Sequence, residues 1–155
     1  MTIKTKIGLA LFIGFVAIQF IQPVRNKGNT NMPTDIEKIV GVPADVSGIL
    51  KTSCYDCHSN NTHYPGYSFI QPGAWLMASH IKNGKAMLNF SQFGDLSIRK
   101  QQSKLQGIIN QVKDGEMPIS SYTLIHKNAI LTPEQKTILM NWASTAKDSL
   151  SIKNN

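Results

Sequence analysis

The chain has 155 residues, 41% of them hydrophobic and 16% charged, which fits one folded domain with a modest core and excludes a disordered protein. Its formal net charge of +7 comes without an arginine-rich run, so we predict solubility and no nucleic-acid partner. Only two cysteines are present, three positions apart, and they are a poor framework for a disulfide-stabilised secreted domain.

The N-terminal segment has a short basic start and then an almost wholly apolar run. Lys4 and Lys6 precede residues 7–21, in which Gln19 is the only strongly polar residue. Such a run is typical of an export signal or a short membrane helix. The residues that follow it lack a small-residue cleavage site, so we predict an uncleaved signal anchor over residues 1–24. The remaining chain would lie on the periplasmic side of the inner membrane, or free in the periplasm if the segment is cleaved.

The next segment, residues 25–34, is polar and rich in turn-forming residues, which predicts a linker. Residues 35–151 then show helical periodicity and no strand pattern, so we predict one all-α domain. A helix from Pro43 to Cys54 is expected to place both cysteines on its last turn. Three further helices are expected, at Ala74–Lys85, Ser97–Lys113 and after the capping-box pattern of Thr132, Pro133 and Gln135.

The run Cys54-Tyr55-Asp56-Cys57-His58 matches the Cys-x-x-Cys-His attachment signature of c-type haem. Two intervening residues make one helical turn, so both thiols can reach one porphyrin edge as thioethers while His58 supplies an axial nitrogen to iron. We therefore predict one covalently attached haem c. A thiol redox pair, a structural disulfide and a zinc site completed by His58, His63 and His80 remain alternatives.

The residue on the other face of the iron would decide between a closed and an open haem. Met117 follows a helix in a loop and precedes Pro118, which removes a backbone donor and stiffens the approach, so we predict it as the distal ligand. His80, on a helix among apolar neighbours, is the alternative. His126, His63 and an empty distal face are further alternatives.

Taken together, these motifs resemble a small class I cytochrome c and, more narrowly, the haem-binding-domain family of Bacteroidetes-type bacteria. The shared stretches cover most of residues 36–150 and begin at Cys54, Tyr64, His80, Leu88, Gly115 and Tyr122. The resemblance implies a cytochrome c-like fold around one haem, with Cys54, Cys57 and His58 holding it and Met117 matching the candidate distal methionine. Gly66, Lys85 and Phe93 depart from the usual residues of the family, and none of them is a predicted ligand.

The function predicted from these features is that of a membrane-tethered periplasmic monohaem cytochrome. It would carry single electrons between periplasmic or membrane redox proteins, as an electron carrier rather than an enzyme, because no nucleophile–base arrangement is present. The alternative is a haem-based sensor or a peroxidase-type enzyme with an open or labile distal site. There, His80 or His126 would act as an acid–base group.

Overall fold

The computed structural model describes residues 1–152, and within them the chain is all-α, as predicted. The described residues contain no β-strand, and one isolated antiparallel bridge joins Lys27 to Asn61. The α-helices are α1 (Ile3–Ile18), α2 (Ile36–Ile39), α3 (Ala44–Ser53), α4 (Tyr55–His58), α5 (Gly73–Met87), α6 (Ile98–Lys113), α7 (Ser120–Thr123) and α8 (Pro133–Ile152). Short 3-10 helices lie at Gly66–Phe69, Phe90–Asp95 and Lys127–Ala129.

The core lies where α3 and the 3-10 helix at Phe90–Asp95 meet the pair formed by α6 and α8. Phe90 and Phe93 are almost fully buried there, together with Leu105 of α6 and Leu139 of α8. Burying large apolar side chains of this kind is the main favourable contribution to folding. This core supports one wall of the crevice described below.

Helix α8 begins as its sequence predicts. The Thr132 backbone N–H donates to Oε1 of Gln135 over 2.9 Å, and the Gln135 N–H donates to the Thr132 hydroxyl oxygen over 3.2 Å. This reciprocal pair satisfies two backbone donors at the helix start and confirms the capping box. Leu139, Trp142, Ala143 and Ala146 form the buried face of α8, whereas Ile138 is 38% exposed.

The prediction of one helix carrying both cysteines on its last turn is wrong. Helix α3 ends at Ser53, and Cys54 has a non-helical backbone with φ −130°. The chain then restarts as the single turn α4, because the Tyr55 ring stacks on Phe90 at 5.1 Å and its hydroxyl donates to Asp35 over 2.8 Å. These contacts with residues far away in the sequence turn the chain at Cys54. As a result, Cys54 lies between α3 and α4, and Cys57 lies within α4.

The N-terminal helix α1 stands apart from the core, since none of its 16 residues is buried. Among the helices described, none combines the length and the apolar character needed to cross a membrane. The division of the chain into anchor, linker and domain stays a prediction. The segment after α1, including residues expected to form the linker, is hydrogen-bonded to the helical domain as far as Gly28.

Candidate functional site

The predicted haem residues surround a crevice made of two adjoining cavities, of about 190 and 370 Å³. Cys54, His58 and Met117 line both of them. The smaller cavity is also lined by Cys57, His80, Met87 and Tyr122. The larger is also lined by Leu50, Met87, Phe90, Ile108, Val112 and Leu139. A mostly apolar crevice with a few convergent polar groups is the usual setting of a cofactor site.

His58, at the end of α4, is held in one tautomer. Its Nδ1 lies 2.9 Å from the backbone carbonyl oxygen of Leu88, which can only accept, so Nδ1 carries the proton. Burial lowers the pKa of His58, which keeps the ring neutral near pH 7. The other nitrogen, Nε2, therefore keeps its lone pair, and this is the arrangement that metal-ligating histidines adopt.

The two cysteines are half-buried and are not joined to each other. Burial raises the pKa of the Cys54 thiol to about 12 and that of the Cys57 thiol to about 11. Both thiols are therefore protonated near neutral pH. Thiol redox catalysis needs a lowered thiol pKa, so this geometry disfavours that alternative.

A zinc site also finds no support in the geometry. Among residues 1–152, no three histidine, cysteine, aspartate or glutamate side chains form a group that could hold a metal ion. His63, one of the three histidines that could complete such a site, lies exposed on the surface. Its backbone N–H donates to Oδ1 of Asp56 over 2.9 Å.

The candidates for the distal position differ in where they lie. Met117 is half-buried and lines both cavities, as His58 does, whereas His80 lines only the smaller one. His126 lines neither, because its Nε2 shares a hydrogen bond with the Tyr67 hydroxyl and its ring stacks on Tyr122 at 4.2 Å. The crevice therefore brings together Met117 and His80 with His58, and leaves His126 outside.

Asp56, between the two cysteines, accepts three hydrogen bonds that the sequence did not reveal. Its Oδ2 accepts a hydrogen bond from the Tyr122 hydroxyl at 2.8 Å, and its backbone carbonyl accepts one from the Thr62 hydroxyl at 2.6 Å. With the bond from the His63 backbone, this carboxylate ties α4 to the following loop and to α7. The family resemblance that begins at Tyr122 could have drawn attention to the tyrosine, but not to Asp56 as its partner.

Replacing Tyr122 with phenylalanine tests this link. Burial and the bond to Asp56 both raise the pKa of Tyr122, so it is a neutral donor at all ordinary pH values. Because the acceptor is a half-exposed carboxylate, we expect a loss of about 1–2 kcal/mol in the free energy of unfolding, measured with denaturant. Tyr67→Phe, which removes a bond to the His126 imidazole rather than to a carboxylate in the same cluster, should cost less, and an equal cost for both would contradict the assignment.

Gly84 of α5 packs directly against the cysteine segment. A Cβ atom on this glycine would lie 2.7 Å from the backbone carbonyl oxygen of Cys57. Glycine therefore permits α5 to cross directly against α4, as it commonly does where two backbones approach closely. This crossing forms one side of the smaller cavity.

Comparison with known proteins identifies the family. A family model described as a haem-binding domain matches residues 13–145, which is most of the chain. No curated protein and no solved structure matches. The crevice fits such a cofactor, since two free thiols and a neutral imidazole with an available nitrogen line it. The chain belongs to the haem-binding domain family.

Proposed function

We propose that the chain binds one haem c covalently, through thioether bonds to Cys54 and Cys57, with His58 as the proximal ligand. The observation that carries this proposal is the hydrogen bond from Nδ1 of His58 to Leu88, which leaves Nε2 for iron. The fold would then be a cytochrome c-like variant of the family, as the motifs shared with Bacteroidetes-type proteins imply.

The distal ligand in this proposal is Met117. It is the half-buried methionine of the crevice and lines both cavities together with His58, whereas Met87, the other methionine there, is 69% exposed. Thioether ligation and an apolar setting both raise a haem reduction potential. With both axial positions filled, no position is left for a substrate, which favours an electron carrier over an enzyme.

The haem would supply reversible one-electron chemistry, and the chain would supply its setting. The apolar side chains of the larger cavity exclude water, and the Leu88 carbonyl fixes the orientation of the proximal ring. Lys104 lies at the same cavity and adds positive charge that could attract acidic redox proteins. We propose that α1 holds the domain at the periplasmic side of the inner membrane, near membrane or periplasmic redox partners.

Covalent attachment is tested by expressing the full chain in a host that matures haem c. Haem should stay with the protein through extraction by acidified acetone, and the protein mass should include one haem. The double variant Cys54→Ser/Cys57→Ser should lose this attachment. Haem that leaves the unaltered protein would overturn the c-type assignment and leave only the haem binding that the family implies.

Carbon monoxide separates a carrier from a sensor or a peroxidase. The spectrum of the reduced, haem-loaded chain should remain unchanged on exposure to the gas, because a filled distal position has no room for it. A prompt spectral shift would mean an open or labile distal face. That result would favour the sensor or peroxidase alternative, with His80 as the polar group at the site.

A further inference from the structure

The residues directly after α1 are hydrogen-bonded to the helical domain. The side-chain amide of Gln71 donates to the Ile21 carbonyl over 2.8 Å, and the Trp75 indole N–H donates to the same oxygen over 3.0 Å. Oε1 of Gln19 accepts from the Gln71 backbone N–H at 2.9 Å. Gln71 is 1% exposed, so its side chain is shielded from water, whereas the bond from Trp75 is exposed. They fix the end of α1 against the start of α5.

The following residues continue this attachment. The Asn26 backbone N–H donates to the Tyr64 hydroxyl over 2.7 Å, and its side-chain amide donates to the Ser59 carbonyl over 2.9 Å. Lys85 donates to Oδ1 of the same asparagine over 2.7 Å. The first residues of the predicted linker, as far as Gly28, are therefore bound to the domain, so the domain sets the direction of α1.

Exposed apolar side chains cluster at this junction. Ile70 and Leu76 are 55% and 56% exposed, although they flank the hydrogen bonds that hold α1. We call the cluster the junction patch, and its members are Phe20, Ile21, Phe69, Ile70 and Leu76. All five lie within two positions of a residue that makes the hydrogen bonds between α1 and α5, and exposed apolar side chains gathered in this way mark a binding site for another apolar surface.

A basic cavity of about 340 Å³ lies beside the junction patch. Arg25, Lys82 and Lys85 line it, and no acidic residue does. The Arg25 guanidinium packs over the rings of Tyr64 and Phe69, at 4.5 and 4.1 Å from their centres. Aromatic side chains favour the interface between membrane and water, and basic side chains are attracted to anionic lipid headgroups.

We propose that the junction patch and the basic cavity bind the surface of an anionic membrane. The patch would enter the boundary between headgroups and acyl chains, and the cavity would hold a lipid phosphate. The inference rests on the proposed membrane attachment of α1. Because hydrogen bonds hold the patch at the end of this apolar helix, the patch lies at the bilayer surface when α1 is inserted in the bilayer. From Trp75 to Gly84, α5 then holds the crevice roughly 14 Å from the patch.

The test uses the full haem-loaded chain in phosphatidylcholine vesicles, with or without one third phosphatidylglycerol. A nitroxide is attached at Leu76→Cys and, as the matched control, at Ile130→Cys, because Ile130 is an exposed apolar residue outside the junction patch, next to a 3-10 helix that packs on α3. The native thiols are in thioether bonds in the loaded protein, so only the new cysteine is labelled. Collision of each label with oxygen and with a water-soluble nickel complex reports whether it lies in lipid or in water.

In anionic vesicles, the label at position 76 should meet oxygen more often than nickel, and the label at position 130 should show the reverse. Adding Lys82→Gln should shift the label at 76 towards water. If the protein sediments with vesicles while the label at position 76 collides mainly with the nickel complex, the proposed surface contact is wrong and the proposed anchoring by α1 is retained. If the protein stays in the supernatant, both the anchor and the surface contact are wrong.

Discussion

Replacing Met117 with alanine should open one axial position of the haem and lower its reduction potential by on the order of 100 mV, within the roughly 0.8 V range that axial ligands set. The reduced variant should also bind carbon monoxide, which the unaltered protein should not. Both results follow if the half-buried sulfur of Met117 is the distal ligand. Potentiometric titration and the spectrum with and without carbon monoxide measure them.

The crevice offers a matched control for this experiment. Met87 lines the same two cavities and undergoes the same chemical change in Met87→Ala, but it is 69% exposed. Its substitution should leave the potential and the carbon monoxide response nearly unchanged. A fall in potential for Met87→Ala or His80→Ala, with Met117→Ala silent, would move the distal ligand to that other residue.

The features that the sequence predicted correctly depend on neighbours close in the chain. The start of α8 depends on bonds between Thr132 and Gln135, and the bounds of α6 follow from apolar periodicity. The break at Cys54 could not be read in this way. The break depends on contacts of Tyr55 with Phe90, 35 positions later in the chain, and with Asp35, 20 positions earlier. Contacts between residues so far apart in sequence override the local preference for a helix.

The same division holds for the site. The candidate haem residues could be predicted because Cys54, Cys57 and His58 lie within five consecutive positions. The partner of His58 is a backbone carbonyl 30 positions later, and carbonyl groups leave no residue-type signal. The role of Asp56 could not be predicted, because its partner Tyr122 lies 66 positions away and only the fold brings the two together.

Gly84→Ala should also have a large effect, because it should both destabilise the fold and reduce haem loading. Alanine favours a helix by up to about 1 kcal/mol over glycine, so local preference predicts a gain in stability. The added Cβ would lie 2.7 Å from the Cys57 carbonyl oxygen, a backbone atom that cannot rotate away. Helix α5 must therefore shift from α4, which should cost about 1–3 kcal/mol in net stability.

The shift should also reduce haem loading, because α5 leads into the Leu88 carbonyl that orients His58 and carries His80 on the wall of the crevice. Gly48→Ala is the matched control, since Gly48 lies within α3 with no atom within 4 Å of an added Cβ. That variant should load haem normally and unfold at equal or higher denaturant concentration. If Gly84→Ala behaves like Gly48→Ala in haem yield and unfolding, the close crossing of α5 and α4 does not build the site.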